Sequence, residues 1–225
     1  MGGQCRGRKL YSPDVYLRPM MGKVREAVYS TFTSFGLYDV PNVGGGDTEN
    51  EMMTAPTRHL DIFAGSGSVG LESLSRGAAH CTFVDLAQNC CETVERNLEL
   101  LQLEDRGNVR CCDVYDALLK PYENGIEGTF DIITLCPPYE EIVYADLLSA
   151  VANSPTVRDD TIILVEYPVE LGSLPHVLNR DVEGDEGKLI GVRNRKYGRT
   201  VIALYIANPT GYLEVAESRP EEFIF

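Results

Sequence analysis

The chain has 225 residues, 44% of them apolar, with 34 acidic against 20 basic side chains and a formal charge of −14. This length suits one large α/β domain with a small appendage, and the apolar content is enough for a sizeable core. No run of about 18 apolar residues occurs, so no membrane span is expected, and no secretory or transit segment is visible.

The first residues, Met1-Gly2-Gly3-Gln4-Cys5-Arg6, place an arginine where an N-acylation signal wants Ser or Thr, so lipidation is not expected. Residues 4–17 read as extended, with Arg6, Arg8 and Lys9 interleaved with Tyr11 and Tyr16. Arg18-Pro19 then opens a helix to about Leu37, with Val24, Ala27, Val28, Phe32 and Phe35 on one stripe at helical spacing. Lys23 and Arg25 lie off that stripe. Residues 38–57 are Gly-rich, acidic and patternless, and read as a flexible surface insertion. The division is a basic extension with the first helix (1–37), this loop (38–57), an α/β domain (58–210) and an acidic tail (211–225).

The α/β domain opens on LDIFAGSGSVG (60–70), an apolar run that breaks into Gly65-x-Gly67-x-x-Gly70 and continues as an amphipathic stretch. Strand, tight turn and helix follow from that pattern. The glycines permit positive φ and close approach of a ligand, and the helix N-terminus offers N–H groups beside it. Asp85 ends the next apolar run, placed to accept from ribose hydroxyls. A nucleoside-containing cofactor is the expectation. A dinucleotide also fits the glycines, but Asp61 sits inside the first strand, where a carboxylate can face an ammonium or sulfonium charge. S-adenosylmethionine suits that better.

A helix over 87–103 follows, with Cys91, Val94, Leu98 and Leu101 inward. Val109–Cys112 is a third strand ending at Asp113, an acid that either reaches an adenine amino group or caps a turn. Phe130–Leu135 is the fourth strand, 141–153 a helix, and Thr161–Tyr167 the fifth strand. Val192-Arg193 and Thr200–Ala207 form a closing hairpin around Lys196-Tyr197-Gly198. The alternation implies a doubly wound, mostly parallel sheet with an antiparallel C-terminal hairpin strand.

Charge clustering modifies the acidic total. Eleven of the 20 basic residues fall in residues 1–25 (Arg6, Arg8, Lys9, Arg18, Lys23, Arg25) and 188–199 (Lys188, Arg193, Arg195, Lys196, Arg199). If the stretches meet, they make a basic face on an acidic body; a charge run can also be only a solvated face. Seven cysteines include the neighbours Cys90-Cys91 and Cys111-Cys112, and three histidines show no ligand spacing. The expectation is reduced thiols in a reducing intracellular compartment and no metal.

The fourth strand ends in Leu135-Cys136-Pro137-Pro138-Tyr139. Two prolines hold the chain stiff and donate no N–H, leaving the Pro137 carbonyl as an acceptor and Tyr139 as a face on which a base can stack. Together with RGRKL (6–10), RPMMGKVREAVYSTF (18–32), LDIFAGSGSVGLESLSRGA (60–78), FDIITLCPPY (130–139) and RNRKYGRTVIALY (193–205), the chain resembles the RsmD-type guanine-N2 methyltransferases of small-subunit ribosomal RNA. The resemblance implies a seven-stranded Rossmann-like methyltransferase fold with a small N-terminal extension that docks RNA. It implies S-adenosylmethionine as cofactor, ribosomal RNA or a small-subunit assembly particle as partner, and catalytic roles for Pro137, Tyr139 and residue 136. Gly65, Gly67, Gly70, Asp61, Asp85 and Asp113 would hold the cofactor. The ten basic residues other than Lys188 would meet RNA. A monomer is expected.

Two departures stand out. Cys136 replaces the family's Asp or Asn, exchanging a strong acceptor for a weak one. Met20-Met21 replace hydroxyl residues after Arg18-Pro19. Either the Pro137 carbonyl suffices, another acid substitutes, or the protein no longer methylates this kind of target and survives as an RNA-binding assembly factor. A nicotinamide-dependent oxidoreductase is the third reading. The acidic insertion and altered motif suggest a plastid or other organelle as the setting, with the cytoplasm as the alternative.

Overall fold

The computed structural model describes residues 1–14, 19–38, 57–181, 187–213 and 217–224. Arg18, Tyr16, most of the 38–57 loop and parts of the 211–225 tail lie outside the described residues. The strands are β1 (Arg58–Ile62), β2 (His80–Asp85), β3 (Gly107–Cys111), β4 (Phe130–Leu135), β5 (Val157–Pro168), β6 (Val177–Asn179), β7 (Lys188–Tyr197) and β8 (Thr200–Ala207). The helices are α1 (Gly22–Ser34), α2 (Ser68–Ser75), α3 (Gln88–Leu101), α4 (Val114–Leu119) and α5 (Tyr144–Ala152).

Among the described residues the strands form one sheet in the order β3-β2-β1-β4-β5-β8-β7-β6. β1 to β5 run parallel, and β8, β7 and β6 add antiparallel pairs. Parallel strands covered on both sides read as continuous apolar runs, and both sides are covered here. On one, Phe32 of α1, Leu71 of α2 and Val94 and Leu98 of α3 pack on Phe83, Ile132, Leu164 and Ile202. On the other, Leu118 of α4 and Leu147 and Val151 of α5 pack on Leu60, Ile133, Val165 and Tyr205.

The expected seven strands become eight because the short β6 pairs with the edge of β7. α1 starts at Gly22, not at Arg18-Pro19, because Met21 keeps an extended backbone (φ −57°, ψ 141°) and the preceding Met20 is buried in the core. β1 stops at Ile62, and Phe63 leaves the strand with φ +63°. β7 begins at Lys188, four residues before its expected start at Val192. β5 extends over Val157–Pro168. α4 has no counterpart in the sequence reading.

The first βα unit goes one way and the β4 unit the other, so β2 and β4 flank β1 on opposite sides. Strand order therefore reverses between β1 and β4. Ligands in such sheets sit outside the carboxyl ends of the strands at that reversal.

Candidate functional site

The turn after β1 is built on three positive-φ residues, Phe63 (+63°), Gly65 (+56°) and Gly67 (+75°), with Gly67 as the N-cap of α2. A phenylalanine in this region costs about 1–3 kcal/mol and persists only where its surroundings impose it. Here they do. Ala64 N–H donates to the Val84 carbonyl at 3.0 Å and Gly67 N–H to the Ala64 carbonyl at 2.7 Å. Gly70 serves packing: a Cβ there would stand 2.4 Å from a Phe83 ring carbon and 2.5 Å from Cys81 Sγ.

Asp61, 1% exposed, lies under this turn. Gly70 N–H donates to its Oδ2 at 2.8 Å, and Thr134 Oγ1 donates to its Oδ1 at 2.7 Å. With its proton committed to Asp61, the Thr134 hydroxyl accepts from His59 Nε2 at 3.0 Å. That fixes the neutral Nε2–H tautomer. Burial pushes the His59 pKa down to about 3 and the Asp61 pKa up to about 7, against the lowering effect of the Thr134 and Gly70 hydrogen bonds. The chain His59–Thr134–Asp61–Gly70 thus bolts β1, β4 and the start of α2 together.

At the end of β2, Asp85 Oδ2 accepts from Gly65 N–H at 2.8 Å and Oδ1 from Ala87 N–H at 2.9 Å. A carboxylate has about four acceptor sites, so both oxygens retain capacity for hydroxyl donors. At the end of β3, Asp113 is the N-cap of α4, its Oδ1 accepting from Tyr115 N–H at 2.8 Å and Asp116 N–H at 3.2 Å. Of the two readings left open for Asp113, the capping contact is present.

The β4 end meets the β1 end directly, since Cys136 N–H donates to the Ile62 carbonyl at 3.4 Å. Leu135 is in register with Val165 on the parallel neighbour β5, so Cys136 and Glu166 follow side by side. Glu166 is 4% exposed. Tyr139 donates its hydroxyl to Glu166 Oε1 at 2.9 Å and lies 2.9 Å from Thr200 Oγ1, while Tyr144 donates to the Glu166 carbonyl at 3.3 Å. Since Tyr139 spends its proton on the carboxylate, Thr200 is the donor in that pair. Cys136 also hydrogen-bonds Glu166, and burial followed by the Glu166 charge pushes its thiol pKa well above the ordinary range. It stands as a neutral S–H, a poor nucleophile.

The basic residues divide. Residues near the N-terminus dock on α2 and α3: Gly2 N–H donates to Glu72 Oε1 at 2.9 Å, Cys5 N–H to Ser75 Oγ at 2.8 Å, and Tyr11 N–H to Asn97 Oδ1 at 2.7 Å. Asn97 in turn donates to the Ser66 carbonyl of the Gly-rich turn at 2.9 Å. Arg193 and Arg195 line a small cavity with Ala27, Val28 and Thr31, so β7 abuts α1. α1 joins the two groups, because Arg25 pairs with the buried Glu72 of α2 at 3.5 Å. Arg6, Arg8, Lys9, Lys23, Arg195, Lys196 and Arg199 are exposed; Arg199 pairs with Glu170 at 2.6 Å and Arg195 with Glu222 at 4.0 Å. Arg18 lies outside the described residues.

Sequence reasoning passed over Thr134, His59, Phe63, Glu166 and Thr200. A signal existed for two of them: Thr134 and Glu166 are polar interruptions in otherwise apolar strands, as Asp61 is. Among the described residues, no group of three or more His, Cys, Asp or Glu could hold a metal ion.

Comparison with known proteins follows this geometry. The family described as "Conserved hypothetical protein 95" matches residues 1–206. "Putative rRNA methyltransferase YlbH" of Bacillus subtilis is 32% identical over 208 residues, 91% of this chain and 96% of that one. "Ribosomal RNA small subunit methyltransferase D" of Escherichia coli is 30% identical over 178 residues, 79% of this chain and 77% of that one. Among solved structures, "Putative methyltransferase yhhF from Escherichia coli" superimposes with a TM-score of 0.68 at 27% identity, covering 93% of this chain and 96% of that one. Ordered motifs, an α/β sheet with its reversal at β1 and β4, and likeness along nearly the whole chain agree: the protein belongs to the Conserved hypothetical protein 95 family, the RsmD-type methyltransferases.

Proposed function

We propose that the protein is an S-adenosylmethionine-dependent methyltransferase that modifies guanine N2 in small-subunit ribosomal RNA. The observation that carries this reading is the meeting of the Gly-rich turn and the Pro-Pro-Tyr stretch on neighbouring strands, joined by the Cys136 N–H to Ile62 carbonyl contact at 3.4 Å. One element suits a nucleoside, the other a base, and both open at the sheet's reversal point. The names of the bacterial relatives supply the substrate class.

The donor and acceptor set fits the cofactor. Gly65 and Gly67 bring bare backbone to it, Asp85 has acceptor capacity for ribose hydroxyls, and Asp113 lies by the adenine end. Asp61 sits toward the methionine end, and a cation beside it would favour its ionised form. Gly70 holds the helix close. When bound, the sulfonium supplies an electrophilic methyl group. Pro137 and Tyr139 orient the base, whose amine is a weak nucleophile until hydrogen bonds to its N–H groups favour the pyramidal form. Cys136, a neutral thiol beside Glu166, packs; methyl transfer to nitrogen requires no covalent nucleophile. A paired guanine must be splayed or flipped out to reach this site. Arg6, Arg8, Lys9, Arg18, Lys23, Arg25, Arg193, Arg195, Lys196 and Arg199 form the set from which RNA contacts come, with ribosomal RNA or the assembling small subunit as partner.

The test is transfer from labelled S-adenosylmethionine to unmethylated small-subunit particles, followed by digestion and identification of the modified nucleoside. N2-methylguanosine that disappears with Asp85→Ala is the expected result. Cofactor binding without transfer would replace this reading with that of an assembly factor retaining the fold.

A further inference from the structure

An amine that attacks a methyl group needs a strong acceptor beside its N–H, and residue 136 does not provide one. The thiol is a weak acceptor, and here it is a donor, because burial keeps it protonated. The carboxylate it faces belongs to Glu166, the next strand's residue in the parallel register that pairs Leu135 with Val165. Three features set Glu166 apart from a solvated acid. It is 4% exposed. It stands at the carboxyl end of β5, beside the strand end that bears the Pro-Pro-Tyr stretch. And it is tied to the aromatic ring expected to stack on the base, with Tyr139 donating to Oε1 at 2.9 Å while Thr200 lies 2.9 Å from the same hydroxyl.

Resting on the function proposed above, we propose that Glu166 is the acceptor of the guanine N2 amine, taking the part that Cys136 cannot play. In the parallel register the Glu166 carboxylate stands beside Cys136 at neighbouring strand ends, and its bond from Tyr139 ties it to the Pro-Pro-Tyr stretch, so it is the strong acceptor next to the base-binding element. The relay Thr200 to Tyr139 to Glu166 fixes the carboxylate and the ring as one unit, so stacking and amine alignment are coupled. In the step itself, the N2 lone pair forms the new nitrogen–carbon bond as the donor's carbon–sulfur bond breaks and its electron pair passes to sulfur. Glu166 accepts the N–H hydrogen bond beforehand and takes the proton that the alkylated nitrogen sheds, releasing it to water.

Turnover on unmethylated small-subunit particles, cofactor affinity and melting temperature, measured on the full chain, test this in three variants. Glu166→Gln keeps the shape and the Tyr139 contact but weakens the acceptor, so kcat should fall roughly 10²-fold or more with cofactor affinity unchanged. Cys136→Asn in that background should restore at least about tenfold of the loss by supplying the family's own acceptor. Cys136→Asn alone should raise turnover by no more than about tenfold, because a second acceptor is added where a strong one already stands. This arm stands even if Glu166→Gln folds poorly. Turnover in Glu166→Gln close to wild type, or a gain of two orders of magnitude in Cys136→Asn alone, would overturn the assignment while leaving the methyltransferase reading intact. A wild-type protein that binds cofactor and methylates no guanine would overturn both.

Discussion

His59 is a titratable ring held neutral at the centre of the molecule, and its linkage to folding is large for one side chain. Burial lowers its pKa from 6.5 to about 3, so between these values the unfolded chain takes up a proton that the folded one refuses. Its contribution is complete above pH 6.5 and is lost as pH falls towards 3, at up to about 1.4 kcal/mol per pH unit. Asp61 runs the other way. Its pKa rises from 3.8 to about 7, so its contribution is complete below 3.8 and is lost as pH climbs to 7. Over the shared window the two slopes oppose each other and flatten the wild-type profile. His59→Gln retains a donor for Thr134 but removes the titration. Denaturant midpoints across pH 3 to 7 should show the variant gaining on wild type with falling pH; parallel profiles would remove His59 from the account. Asp85→Ala acts on binding. It takes the acceptor from Gly65 N–H and Ala87 N–H as well as from the ribose proposed to sit there, so cofactor affinity should fall at least about tenfold, as calorimetry would read. An unchanged affinity would place the ribose elsewhere.

At the scale of elements, the βα unit around the Gly-rich turn is the tightest part. α2 lies so close to β2 that a methyl group on Gly70 would overlap Phe83 and Cys81, both fully buried. Gly70→Ala should therefore cost about 1–3 kcal/mol in thermal or denaturant unfolding despite alanine's better helix propensity. A neutral or stabilising result would mean that α2 rides further from the sheet. This unit was legible in the sequence because a ligand turn needs glycines at fixed offsets and a strand before it, and both are local signals. α4 was not. It has six residues, of which Val114, Ala117 and Leu118 are buried, too short a stretch for periodicity to stand out. β6, three residues on a sheet edge, carries no alternation to read. Within the site, Asp85 and the Pro-Pro-Tyr stretch announced themselves by position. The role of Glu166 depends on a partner 27 residues earlier, Tyr139, and on strand adjacency, neither of which a linear pattern encodes.

For the whole molecule the question is how a chain of formal charge −14 approaches RNA. The N-terminal segment docks on α2 and α3, and Arg193 and Arg195 of β7 line a cavity with α1, so parts of both basic stretches border the helices on one side of the sheet. Not every cation on that side is available to a phosphate. Arg25 faces Glu72, 3% exposed, which also binds Arg76 and the Gly2 N–H. Its replacement by alanine leaves a buried carboxylate with one cation fewer, so its main effect should be on stability. Lys196 is exposed at the end of β7, beside the Gly198 turn. RNA binding driven by counterion release weakens linearly in log salt, with a slope set by the number of phosphates neutralised. Lys196→Ala should therefore leave melting unchanged, weaken RNA binding, and reduce that slope by about one. Arg25→Ala should lower the melting temperature and alter the slope less than Lys196→Ala does. Affinities measured at several salt concentrations separate the two effects. Equal slopes for wild type and Lys196→Ala would move the RNA off the β7 end of the sheet and onto the flank where the N-terminal segment docks on α2 and α3.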